Sequence, residues 1–268
     1  MSTTALTIGG TEYYMNTKIY AIINQKGGVG KSTTAEALTA GLSLKGFKCL
    51  AIDLDAQGNF SYTAKAKTDG ATALGVLMGE VKIQAAIQHT ANGDIIAASK
   101  ALSGADAFIT NTGKEYRLKE ALENLQEAYD YIVIDTPPAL GILTINALTA
   151  CHSVIIPAQA DIYSLQGIDQ LSDTMQPVKK YCNPGLNISG ILLTRYSPRA
   201  VLSREVAEIA GQLAARLQTK VFKTTIRENI SVKEAQINQQ SIFDYAPNSN
   251  AAKDYTAFID ELVSTERK

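Results

Sequence analysis

Asn24-Gln25-Lys26-Gly27-Gly28-Val29-Gly30-Lys31-Ser32-Thr33 decides the fold of this chain, because the residues on either side change periodicity across it. Before it, Lys18–Ile23 (KIYAII) is a short apolar run with β-branched residues, the pattern of a buried parallel strand. After it, Thr34–Leu44 sets Ala37, Leu38, Gly41, Leu42 and Leu44 along one helical face. The glycines therefore sit in a strand-to-helix turn, the setting in which successive backbone N–H groups converge on an anion at a helix N-terminus. Lys31 is spaced to reach terminal phosphates, and the Ser32 hydroxyl is spaced to hold Mg²⁺.

The strict pattern G-x-x-x-x-G-K-[ST] is not met: its first glycine would fall at position 25, which is Gln25, and a second lysine, Lys26, stands beside it. A dinucleotide site is the competing reading, since Asp53 closes the next strand where a ribose-binding acid would stand. Thr33 occupies the third glycine position counted from Gly28, and Lys31-Ser32 has no part in that motif, so this reading is rejected. KGGVGKST instead resembles the deviant Walker A motif of the ParA/MinD family of dimerising ATPases. The resemblance implies ATP and Mg²⁺ as cofactors, with Gly27, Gly28, Val29, Gly30, Lys31, Ser32 and Thr33 around the phosphates. It also implies that Lys26 reaches across a dimer interface to the partner's nucleotide.

Other stretches extend the resemblance from about Lys18 to Val263. The second strand, Lys48–Ile52, runs into Asp53-Leu54-Asp55-Ala56-Gln57-Gly58-Asn59; two acids two residues apart point the same way off the ligand-bearing end of a parallel strand. The family's switch I reads D-x-D-P-Q-G-N, with Ala56 here in place of proline. By position it assigns Asp55 to orienting the attacking water and Asp53 to supporting the lysines and metal. Tyr131-Ile132-Val133-Ile134-Asp135 has the Walker B form, delivering Asp135 to the Mg²⁺ water shell. Ala139–Leu148 resembles switch II, and Ala158–Leu171 resembles the segment leading into a helix at the dimer face. Relatives carry Pro-x-Asn in the loop over the base; this chain has Arg227-Glu228-Asn229, giving Arg227 and Asn229 as candidate base contacts.

Composition sets outer bounds. The 268 residues are 46% hydrophobic and 19% charged with net charge −1, which suits an ordinary globular α/β chain of this size as one domain. Cys49, Cys151 and Cys182 are odd in number and in no C-x-x-C pair, which fits a reducing cytoplasm and argues against an iron–sulfur site. Cys151-His152 reads as a helix end entering a strand. No apolar run reaches about 18 residues, so no membrane span is expected, nor a signal peptide. Residues 1–16 are expected to form a flexible arm or a short added strand, with residues 17–268 as the ATPase domain. Within residues 60–128 the short helices Ala73–Met78 and Ile83–Ile87, a strand Asp94–Ala98, and an amphipathic helix Lys114–Ala128 are expected.

Charge is uneven. Residues 195–233 hold eight basic and three acidic side chains, a local excess of +5 that leaves −6 elsewhere. One reading is a solvated face; the other is a patch that tracks DNA phosphates without reading bases, as in the family's partition members. Arg199, Lys223, Arg227 and Lys233 are the candidate DNA contacts. The closing helix, Ala251–Val263, sets Asp254, Asp260 and Glu261 opposite its apolar face, the wrong charge for a membrane anchor.

The expected fold is a single-domain α/β P-loop NTPase, with a mostly parallel twisted sheet and helices on both faces. The resemblance lies nearest the ParA/Soj partition branch. It implies an ATPase that dimerises on ATP, binds non-specific DNA in a cytoplasmic, nucleoid-associated state, and is switched off when a ParB-like centromere-binding protein stimulates slow hydrolysis. No stable membrane association is expected. The alternatives are a MinD-like membrane-associated spatial regulator and a nucleotide-gated regulatory module with little turnover.

Overall fold

The computed structural model describes residues 5–8, 11–14, 17–123, 125, 128–198 and 200–266. Among the described residues the strands are β1 (Ala5–Ile8), β2 (Thr11–Tyr14), β3 (Lys18–Ile22), β4 (Cys49–Asp53), β5 (Ile87–Thr90), β6 (Gly93–Ile96), β7 (Tyr131–Asp135), β8 (Ser153–Gln159), β9 (Asn187–Tyr196) and β10 (Ile226–Arg227). The first helices are α1 (Lys31–Leu44), α2 (Asn59–Thr63), α3 (Ala73–Met78), α4 (Ile83–Ala86), α5 (Ala105–Phe108) and α6 (Arg117–Glu123). They are followed by α7 (Ile142–Ala150), α8 (Ile162–Tyr181), α9 (Val201–Arg216), α10 (Ile230–Ile237), α11 (Ile242–Tyr245) and α12 (Asn250–Glu266).

Eight strands make one sheet in the order β10-β9-β8-β3-β7-β4-β6-β5, parallel throughout except for the β5–β6 edge. The central strands read as unbroken apolar runs because both of their faces are covered. Ile19, Ala21, Ile132 and Ile134 enter the core beneath α3–α9, whereas Tyr20, Ile22, Tyr131 and Val133 enter the core beneath α1, α10, α11 and α12. This is the layered α/β architecture read from the sequence.

Several expectations are corrected in detail. Leu44, placed on the apolar face of α1, is exposed at the helix end, while Ala37, Leu38 and Leu42 are buried. The helix expected over Lys114–Ala128 begins as a 3₁₀ turn at Lys114–Tyr116 and its α-helical part ends at Glu123. Within residues 1–16, β1 and β2 pair as a separate two-stranded antiparallel sheet, with Ala5 opposite Tyr14. Cys151 and His152 do join α7 to β8, and His152 Nδ1 accepts the Ile19 N–H at 3.0 Å.

The apolar side of α12 is as expected: Ala252, Tyr255, Phe258, Ile259 and Leu262 are all buried against the sheet. Asp254 is not on its solvated side, as the sequence spacing suggested, but nearly buried at 9% exposure. The remaining acids also have partners, Asp260 with Lys45 and Glu261 with the backbone N–H groups of Lys223 and Thr224. No helix of the described residues is long and apolar enough to cross a membrane.

Candidate nucleotide site

β3 ends at Ile22 and α1 begins at Lys31, so the glycine loop lies at the C-terminal edge of the sheet. Gly28 and Gly30 adopt φ of 76° and 92°, a left-handed backbone that glycine permits without strain. Gly30 is also the N-cap of α1, its carbonyl accepting the Thr34 N–H at 2.8 Å. No acid sits in the first turn of this 14-residue helix, so its positive end is left for an anion.

Neighbouring strands pin the loop. The Gln159 side chain donates to the Gly28 carbonyl at 2.7 Å, and the Thr194 hydroxyl to the Val29 carbonyl at 2.8 Å. Asn24 Nδ2 donates to the Pro157 carbonyl, while its Oδ1 accepts the Lys26 N–H. Gln236, on α10, donates to the Thr33 hydroxyl at 2.9 Å, fixing the first turn of α1 from the opposite side.

Two acids stand side by side on adjacent strands, since Asp53 on β4 is the direct partner of Asp135 on β7. Both are fully buried. Asp53 is saturated: Oδ1 accepts the Asp55 N–H, and Oδ2 accepts the N–H and hydroxyl of Ser61. Burial pushes its carboxyl up to about 6, opposed by the Ser61 bonds. Expected among the metal ligands, Asp53 is placed as the anchor of the segment that carries Asp55.

Asp135 is different, because neither of its oxygens makes a hydrogen bond among the described residues. Burial raises its pKa well above the carboxylate range and the Asp53 carboxylate raises it further, while Ser32 and Lys31 pull it down. A buried carboxylate with unpaired oxygens is unstable alone and suits a hard divalent cation. Asp135 and Ser32 would hold Mg²⁺, which supplies charge neutralisation at the phosphates.

Lys31 is buried, and its Nζ donates to the Lys26 carbonyl at 3.2 Å. Burial lowers its pKa, with Asp135 and Asp55 acting the other way. Asp55, 8% exposed, lines the phosphate cavity with Oδ1 bound to the Gln57 N–H. Lys26 is turned within its own subunit onto Asp161 at the start of α8. Asp161 was not singled out from sequence, although it lies in the segment read as leading to the dimer face.

A cavity of about 590 Å³ is bounded by Gly27, Gly28, Lys31, Ser32 and Asp55. A second cavity of about 310 Å³ adjoins it, with Ile226–Ile230, Val232 and Tyr255 in its wall. Gly30, Thr33, Arg195, Lys233 and Gln236 line both, so the two read as phosphate and base compartments of one cleft. Asn229 lies in the base compartment, its Oδ1 capping α10 through the Ser231 N–H.

The basic candidates divide. Lys223 is exposed away from both cavities, Lys233 is exposed at their shared wall, and Arg227 is ion-paired with Asp254 in the base compartment. Arg199 lies outside the described residues. Arg195, Gln236 and Asp254 were missed because their roles arise from contacts far apart in sequence.

A profile of the AAA domain family matches residues 17–188. The sporulation initiation inhibitor protein Soj of Bacillus subtilis is 40% identical over 252 residues, covering 92% of this chain and 98% of Soj. Among solved structures, cobyrinic acid a,c-diamide synthase from Mycobacterium smegmatis with bound ATP analogue and magnesium superposes with a TM-score of 0.82, at 33% identity, covering 94% of this chain and 96% of that one. A plasmid partition protein from Borrelia burgdorferi gives a TM-score of 0.68 at 29% identity, covering 85% of this chain and 98% of that chain.

Proposed function

Since the chain belongs to the ParA/Soj-type partition ATPases of the ParA/MinD family, with ATP and Mg²⁺ as its cofactors, we propose that it is an ATP-gated, dimerising DNA-partition ATPase. The observation that carries this reading is the cavity at the glycine loop, lined by Lys31, Ser32 and Asp55, with the buried Asp135, unbonded among the described residues, near enough to Lys31 to act on its charge.

In this reading ATP enters with its phosphates over Gly27–Thr33 and its base in the compartment of Ile226–Ile230. Lys31 and the α1 N-terminus neutralise the phosphates, and Asp55 orients the attacking water. Lys26 leaves Asp161 and crosses to the nucleotide of a second subunit, closing a two-fold dimer. The closed dimer binds non-specific duplex DNA through residues of the 195–233 segment, with Lys223 and Lys233 as the described candidates. A ParB-like partner then accelerates a slow hydrolysis and releases the dimer. The working place of such a protein is the cytoplasm, on the nucleoid. The acids of α12 support DNA over a membrane surface, since Asp260 and Glu261 give that helix no basic face.

The test is binding to a random-sequence DNA duplex with ATP, ADP or no nucleotide, at two salt concentrations. Binding that requires ATP and falls with salt, by a log–log slope of about −0.9 per phosphate contacted, is expected. Equal binding in all three states, or none in any, overturns the gated DNA-binding reading. ATP turnover no higher than that of the Lys31→Ala variant would favour a binding module instead.

A further inference from the structure

The wall of the base compartment contains a clamp between chain segments 27 residues apart. Asp254 on α12 takes the Arg227 N–H at 3.0 Å, Nη2 at 2.6 Å, and Nε at 3.2 and 2.9 Å, so one carboxylate fixes both the backbone and the guanidinium of Arg227. The Asp254 side chain is 12% exposed and that of Arg227 39%, so the acid forms the buried base and the guanidinium the accessible part. The next residue, Tyr255, lines the same compartment and its hydroxyl meets the Thr34 hydroxyl of α1 at 3.3 Å. Two consecutive residues of α12 thus tie the compartment wall to the helix that carries the phosphate loop.

A guanidinium held along one edge keeps its planar faces available, and the plane of arginine stacks on aromatic rings. We propose that Asp254 is a positioning residue for the nucleobase, locking the Arg227 guanidinium as a flat cationic wall on which a purine stacks. A purine offers more ring area to that wall than a pyrimidine, so the clamp sets a preference for purine nucleotides. The inference rests on the nucleotide reading of the cleft and deepens it. It also assigns Arg227 to the nucleotide rather than to DNA.

The test uses the full chain and three probes: Mg²⁺·ATP, Mg²⁺·CTP and Mg²⁺·tripolyphosphate, the last reporting the phosphate loop alone. In Asp254→Asn and Arg227→Gln the preference for ATP over CTP is expected to fall on the order of tenfold, with tripolyphosphate affinity unchanged. Arg227→Lys keeps the charge without the plane and is expected to lose the same preference. Should Asp254→Asn fail to fold, the two Arg227 variants decide, because the backbone N–H to Asp254 remains. Parallel weakening of all three probes would make the clamp a structural staple only and overturn the inference. So would an unchanged preference, or a wild-type chain that binds ATP no better than CTP. A wild-type chain that binds neither ATP nor tripolyphosphate overturns the nucleotide reading beneath it.

Discussion

Lys26 Nζ lies 2.7 Å from Asp161 Oδ1 and 2.9 Å from Oδ2, and the same carboxylate caps α8 by accepting the N–H and hydroxyl of Ser164, each at 2.9 Å. Burial raises the Asp161 pKa, but the bonds from Lys26 and Ser164 outweigh it and the net shift is downward. The lysine proposed to cross to a second subunit is therefore engaged within its own chain. Both side chains are about a third exposed, so solvent screening holds the pair to about 1 kcal/mol or less.

Asp161→Ala should release Lys26 in both subunits and lower the protein concentration at which ATP drives dimerisation, by up to about thirtyfold. Loss of the cap should also reduce unfolding stability by about 1 kcal/mol. Light scattering against concentration reads the first effect and chemical denaturation the second. A midpoint that moves to higher concentration would mean that Asp161 acts within the dimer instead.

Lys31→Ala should reduce ATP affinity by about a hundredfold or more, because it deletes a buried cation facing the phosphates. Equilibrium titration with a fluorescent ATP analogue measures it. Retention of near-native affinity would show that the backbone cradle and helix end suffice.

Asp55→Asn should leave ATP binding intact and lower turnover by about a hundredfold or more, trapping the ATP-bound dimer. Phosphate release and dimer lifetime are the measurements. A monomeric variant with no bound ATP contradicts the assigned role.

Glu36 supplies a prediction about pH. It is nearly buried on α1, and burial pushes its carboxyl from the ordinary 4.5 up to about 8, with Ser241 opposing and Asp244 adding to the rise. The folded chain therefore binds this proton more tightly than the unfolded chain. Its contribution is complete below pH 4.5 and is lost as pH rises through 8. Glu36→Gln should be nearly neutral near pH 4.5 and stabilising near pH 8.5, read by denaturant unfolding at both values. A stabilisation independent of pH would contradict this.

Gly41 is a packing requirement rather than a flexible joint. A Cβ there would clash with Ile259 Cδ1 and meet the Phe243 ring at 3.1 Å, so its absence lets α12 and α11 approach α1. Gly41→Val should destabilise by about 1–3 kcal/mol, visible as a lower denaturation midpoint. Gly211, in α9 with nothing within 4 Å of the corresponding point, should tolerate Ala.

What could be read from the chain alone was local. β3, β4 and β7 announced themselves as apolar runs because they are covered on both faces, and α3 occupies the very residues expected for it. β5 was not recognised: Ile87-Gln88-His89-Thr90 is a half-exposed edge with no apolar signal, paired antiparallel to β6. The phosphate loop was clear because its chemistry lies in consecutive residues. Its supports were not, since Lys26 meets Asp161 135 positions away and Thr33 meets Gln236 203 positions away. Asp254 was misplaced because helical spacing distinguishes an apolar face from a polar one but cannot reveal that an arginine waits beside the polar residue.

The pairing of Asp53 with Asp135 bears on timing. The ladder between their strands continues one step further, the Leu54 N–H donating to the Asp135 carbonyl at 3.0 Å, so the segments that resemble switch I and switch II leave the sheet from neighbouring points on a single edge. A displacement at one departure point is expected to reach the other across a hydrogen bond rather than through a flexible tether. The two segments should accordingly relax together after phosphate leaves, and reporters placed on each should follow one common rate.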